Sequence, residues 1–237
     1  SSAALQFQAI AARDAKKNPA AAREATWAAA ETYEKAKQPE LALKIYQQVS
    51  IDATNPIDLR TEAYHRIYTY YDKNNMVGEA QNTLKGIAQF YDKLGDKAPA
   101  RVKYLGAMAH FKLAQPVYDT FAAIPLSQPL KASIGAKKKA MQTAITTYNK
   151  VAGIGVAEFT TAANYQQALI YQKLAADLSD GLIDGKNDTT TLTSVPYATL
   201  ASVFAASWQL AMQEVINTLT NTELQAKFVS NVVNKVD

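Results

Sequence analysis

The stretch Arg23 to Ser50 reads REATWAAAETYEKAKQPELALKIYQQVS, and its side-chain sizes follow a fixed order. Ala30 is small and Tyr33 bulky; beyond a break at Lys37-Gln38-Pro39, small Ala42 precedes bulky Tyr46 and Val49. Two amphipathic helices folded back on each other need this order, with small residues where the helices cross closely and large ones in the gaps between them. Proline suits the first turn of a helix, where its missing N–H has no intrahelical partner, so Pro39 opens the second helix. Counted from Arg23, the five residues take positions 8, 11, 20, 24 and 27 of a helical hairpin.

The order recurs downstream. A second unit counted from Thr61 places Tyr64, Ile67, Tyr68 and Tyr71 on its first helix and Ala80, Leu84 and Ile87 on its second. Lys73-Asn74-Asn75 is the turn between them, and Asn55-Pro56 reads as a cap and first helical residue before them. Tyr68 occupies position 8, where a small residue is usual, so a looser crossing is expected there. Ala42 and Ala80 lie 38 residues apart. The tetratricopeptide unit has about 34 residues, and an insertion around Asp52 to Asn55 accounts for the excess.

Residues 1–22 read as a leading helix, from Leu5 to Lys17, and residues 23–97 as the two hairpins. From residue 98 to 237 the hairpins diverge. Gly95 is a helix stop. The helix that follows, from about Pro99, carries Tyr104, Ala107, Met108 and Phe111 on one face, and Pro116 is expected to kink it or end it near Gln115. Pro125 to Pro129 is a connector, and a long helix from Leu130 to Val151 ends at Gly153-Ile154-Gly155. Tyr165, Ala168 and Tyr171 mark the next helix, a polar loop spans 180–195, Pro196 starts a helix through Trp208, and Asn221 to Val236 closes the chain. The expected fold is all-α, a right-handed superhelical solenoid in which stacked hairpins cover each other's apolar faces.

Composition agrees. Alanine is abundant, Gly and Pro number 9 and 8, and charged residues are 19%. The net charge of +4 is modest, and Lys137-Lys138-Lys139, the densest basic run, reads as a solvated helix face; no nucleic-acid partner is expected. With no cysteine, disulfides, thiolate zinc sites and Cys nucleophiles are excluded. No stretch approaches the roughly 18 apolar residues of a membrane span. The opening Ser1-Ser2-Ala3-Ala4 has no signal-peptide pattern, so a mature form or an excised fragment is expected. His65 and His110 have no second ligand at metal spacing, and there is no phosphate loop or nucleophile elbow. Asp180, Asp184 and Asp188 resemble part of a calcium loop, but Lys186 stands where a ligand is needed, and a solvated turn is preferred. No enzyme activity, cofactor or metal is therefore expected.

Three later passages carry a family resemblance. They are Ala109-His110-Phe111-Lys112-Leu113-Ala114-Gln115-Pro116-Val117-Tyr118-Asp119; Lys137 to Ala140 with Tyr148-Asn149-Lys150-Val151; and Gly155-Val156-Ala157-Glu158-Phe159-Thr160-Thr161-Ala162-Ala163 leading to Tyr165 and Tyr171. Together they resemble tetratricopeptide-repeat scaffolds of the Gram-negative cell envelope, including those of the myxobacterial gliding-motility apparatus. The resemblance implies a non-catalytic envelope scaffold in the periplasm, with the cytoplasm as the alternative. One departure is the segment Tyr197 to Met212, which lacks the acidic residues usual at the end of such proteins.

In tetratricopeptide arrays, positions 2, 5, 9, 12 and 13 of each first helix line a concave groove. Here they hold Glu24, Trp27, Glu31, Glu34 and Lys35, then Glu62, His65, Thr69, Asp72 and Lys73. Trp27 and Glu31 replace the Lys and Asn with which some members grip a C-terminal carboxylate, so a net negative groove that rejects anionic tails is expected. The expected partner is another protein, bound through a basic or apolar segment with Trp27 as anchor. The alternative function is a periplasmic binding module for cell-wall glycan or another small ligand.

Overall fold

The computed structural model describes residues 2–126 and 130–183. These form eight α-helices and no strand: α1 (Ser2–Asp14), α2 (Pro19–Lys35), α3 (Pro39–Ile51), α4 (Ile57–Lys73), α5 (Val77–Leu94), α6 (Ala100–Ala123), α7 (Leu130–Gly153) and α8 (Ala157–Ile183), with a 3-10 turn at Gly95–Lys97. The protein is all-α over these residues. Among them no helix is long and apolar enough to cross a membrane. Two compact units divide between His110 and Phe111, inside α6.

In the first unit each helix from α1 to α5 packs on the next in chain order. The size pattern lands where it should: Ala30, Tyr33, Ala42, Tyr46 and Val49 are all buried, together with Ala29, Ile45, Ala63 and Ile67, in one core. Burying such apolar surface contributes about 25 cal/mol per Å². Asn18 caps α2, its Oδ1 accepting from the Ala21 N–H at 3.2 Å, and Pro19 follows at the first helical position. The hairpin's first helix therefore begins at Pro19, ahead of Arg23.

Both predicted turns are Schellman motifs. At the first, Gln38 N donates to Tyr33 O and Lys37 N to Glu34 O, with Lys37 at φ 57°. At the second, Met76 N donates to Tyr71 O and Asn75 N to Asp72 O, with Asn75 at φ 56°. Gly95 ends α5 at φ 53°, as expected. Asn55 does not cap α4. Pro56 holds that position without a side-chain bond, and the Asn55 amide instead donates to Val49 O at 3.1 Å, tying the inserted turn to α3.

The second hairpin buries Tyr68 at position 8 and makes a tight approach nearby, where a Cβ added to Gly86 would meet Tyr64 Cε1 at 3.0 Å. Closer still is Gly106 of α6, where an added Cβ would lie 2.4 Å from Tyr91 Cβ. That contact joins the start of α6 to α5 within the first unit.

In the second unit Phe111 of α6 meets Tyr148 of α7 and Phe159 of α8, both at 6.0 Å between ring centroids. Ala144, Tyr148, Val151 and Ala168 are buried as the pattern requires. Pro116 does not end α6, which continues to Ala123. Buried Ala114 and Phe121 on either side hold the helix, the Gln115 amide bridges to Asp119, and the Thr120 hydroxyl donates to Pro116 O.

The lysine run is not a uniform solvated face. Lys138 and Lys139 are exposed, but Lys137 is fully buried. Its ammonium donates to Phe121 O at 2.9 Å and Ile124 O at 2.8 Å, the carbonyl end of α6. It also pairs with Asp177 Oδ2 of α8 at 2.6 Å and lies 4.4 Å from the Phe121 ring centre. The loop placed at 180–195 begins later than expected, since the backbone is helical to Ile183. The rest of that loop, the Asp184 and Asp188 carboxylates, and the helices from Pro196 onward lie outside the described residues.

Candidate functional site

The first helices of the two hairpins, α2 and α4, line two hollows in the first unit. One, of about 720 Å³, is lined by Arg23, Glu24, Trp27 and Glu31 from α2, Asp58, Glu62 and Arg66 from α4, and Arg101 from α6. The other, of about 630 Å³, is lined by Glu34, Lys37, Pro39, Arg66, Thr69, Tyr70, Lys73 and Asn74. Arg66 belongs to both, so the hollows adjoin along one seam. Of the groove residues expected from sequence, Glu24, Trp27, Glu31, Glu34, Glu62, Thr69 and Lys73 line the seam. Lys35, His65 and Asp72 fall outside both linings.

Trp27 is half-buried. Its ring lies 5.0 Å from that of Tyr46, and its Nε1–H donates to Glu31 Oε1 at 3.1 Å. The indole is therefore braced by Tyr46 and Glu31 where it lines the first hollow. Burial pushes the Tyr46 phenol beneath it well above its ordinary range.

Three of the groove carboxylates are held by arginine. Arg66 reaches Glu31 at 3.3 Å and Glu34 at 3.1 Å on α2, and Glu62 at 3.8 Å on its own helix. Its guanidinium also lies 5.9 Å from the centre of the Trp27 ring and 6.0 Å from that of Tyr46, in cation–π range. Arg101 pairs with Glu62 at 2.7 Å. The His65 imidazole, 3.5 Å from Glu62, and then Arg101 hold the Glu62 carboxyl down at about 2, against the upward pull of burial.

The two hollows differ in charge: the Trp27 hollow keeps a small negative excess, and the second is net positive. Three arginines face four carboxylates in the first hollow, and three cations face one carboxylate in the second. The repeat positions counted from sequence omit Arg23 and Arg66, and Arg101 comes from a helix beyond the two hairpins. Arg66 was legible in principle, because it follows Glu62 by four residues and that spacing places opposite charges on one helix face.

Among the described residues no group of three or more His, Cys, Asp or Glu side chains could hold a metal ion. His110 Nε2 lies 2.9 Å from Asp92 Oδ1, far along the chain from His65. No protein-family model matches the sequence, and no curated protein matches it either.

Proposed function

We propose that this protein is a non-catalytic scaffold of tetratricopeptide-like hairpins, stacked as a superhelical solenoid, that holds segments of other proteins in a complex of the bacterial envelope. The observation that carries the reading is the α2–α4 seam. It combines an indole braced by Tyr46 and Glu31 with charged groups already held in place by Arg66 and Arg101. A rigid aromatic beside pre-positioned polar groups loses little entropy on binding and is the commonest kind of energetic anchor at protein interfaces. The periplasmic placement rests on the resemblance of the three later passages.

The test is calorimetric titration with short extended peptides whose centre is apolar, flanked by basic residues. Trp27→Ala should weaken the best binder by more than about fivefold, the equivalent of about 1 kcal/mol. Affinity unchanged in a variant that still melts cooperatively would count against the seam as the binding surface. Co-fractionation of the full-length protein with the cytosol alone would count against the envelope assignment.

A further inference from the structure

Lys37 and Lys73 converge on the second hollow. Among the described residues neither has a carboxylate partner, and Glu34 beside them is occupied by Arg66 at 3.1 Å. That end of the seam therefore presents two uncompensated ammonium groups. Asn74 turns its amide away, donating to Tyr70 O at 2.7 Å, and the Thr69 hydroxyl donates to His65 O.

Lys37 also sits at φ 57°, the Schellman position at which glycine is least costly. The matching place in the second hairpin holds Asn75, a type that tolerates this conformation. A lysine there gives up stability that glycine would keep, while its side chain lines the hollow.

We infer that the Lys37–Lys73 end of the seam binds a carboxylate of the partner segment whose apolar or basic residue rests on Trp27. The inference rests on the reading of the seam as a peptide site and adds the partner's charge order. Trp27 and Lys37 are ten residues apart. At 1.5 Å per helical residue that is roughly 15 Å, the reach of four or five extended residues. The partner segment is thus an anchor followed, at that spacing, by an acidic side chain.

The experiment compares two peptides, identical except for Asp or Asn at that spacing, by calorimetry at low salt. The Asp peptide should bind the parent protein about five- to tenfold more tightly. In Lys37→Gln/Lys73→Gln the advantage should vanish while the Asn peptide binds as before, which also shows that the seam is intact. In Lys37→Glu/Lys73→Glu the order should reverse. Both peptides are amidated at the C-terminus, so that the Asp side chain is the carboxylate by which they differ and no tail competes for the lysines. Equal binding of both peptides to the parent, or an equal loss of both in the lysine variants, would overturn the inference and leave the seam a peptide site. Binding of neither peptide, or binding indifferent to Trp27→Ala, would overturn both.

Discussion

Replacing Lys137 with Met tests the packing of the second unit at its most exacting point. Methionine keeps most of the stem but removes the charge and its donors. Phe121 O then loses its lysine donor in a buried setting, at a cost of about 1–3 kcal/mol, while Ile124 O is only partly buried and can recruit water. Asp177 loses its partner at 2.6 Å but keeps Lys173 one helical turn away. Relief from burying an ammonium offsets part of the loss. The net expectation is a destabilisation of about 2–3 kcal/mol, lowering the melting temperature by about 5–10 °C for a chain of this size. Circular dichroism melts at neutral pH read it, with Lys138→Met and Lys139→Met as exposed controls that should stay within about 0.5 kcal/mol of the parent. If Lys137→Met melts with the controls, the buried clamp does not exist and the three lysines are equivalent.

Three further outcomes follow from the geometry. Gly106→Ala places a methyl group 2.4 Å from Tyr91 Cβ, so despite alanine's better helix propensity it should lose about 1–2 kcal/mol in urea unfolding, whereas Gly135→Ala, with open space around it, should gain up to about 1. The Glu62 carboxyl, held down at about 2 when folded against an ordinary 4.5, makes a contribution that is complete above about pH 4.5 and is lost as pH falls through 2; Glu62→Gln should cost about 1–2 kcal/mol at pH 7 and flatten the acid limb of stability between those values. Lys37→Gly should raise stability by about 0.5–1 kcal/mol by relieving the positive φ, which differential scanning calorimetry can detect.

What could be read from the sequence was set by local chemistry. The order of alanines and aromatics located Ala30, Tyr33, Ala42 and Tyr46 in the core because packed helices impose it on any chain. Proline, asparagine and glycine marked turns through backbone preferences that need no tertiary partner. The misreadings concern side chains whose environment comes from elsewhere in the chain. Nothing in a run of three lysines says which one faces the carbonyl end of a preceding helix and an aspartate 40 residues on. The partners of the groove carboxylates were not legible because Arg101 reaches Glu62 across 39 residues, and the repeat frame lists positions, not neighbours. Asn55 looked like a cap because it precedes a proline, yet the inserted turn had a stronger use for its amide at Val49 O.

The alanines at the helix crossings carry a consequence for how such a sequence drifts. Ala29, Ala30, Ala63 and Ala107 have no exposed surface, whereas the bulky Leu5, Ile51 and Val77 are 59, 70 and 65% exposed. The usual ranking of tolerance is inverted: the least conspicuous residues are the hardest to exchange, since a larger one must move a whole neighbouring helix, while several large apolar ones are free to vary. Descendants of this chain would therefore share a spacing of small residues long after their more recognisable letters had diverged.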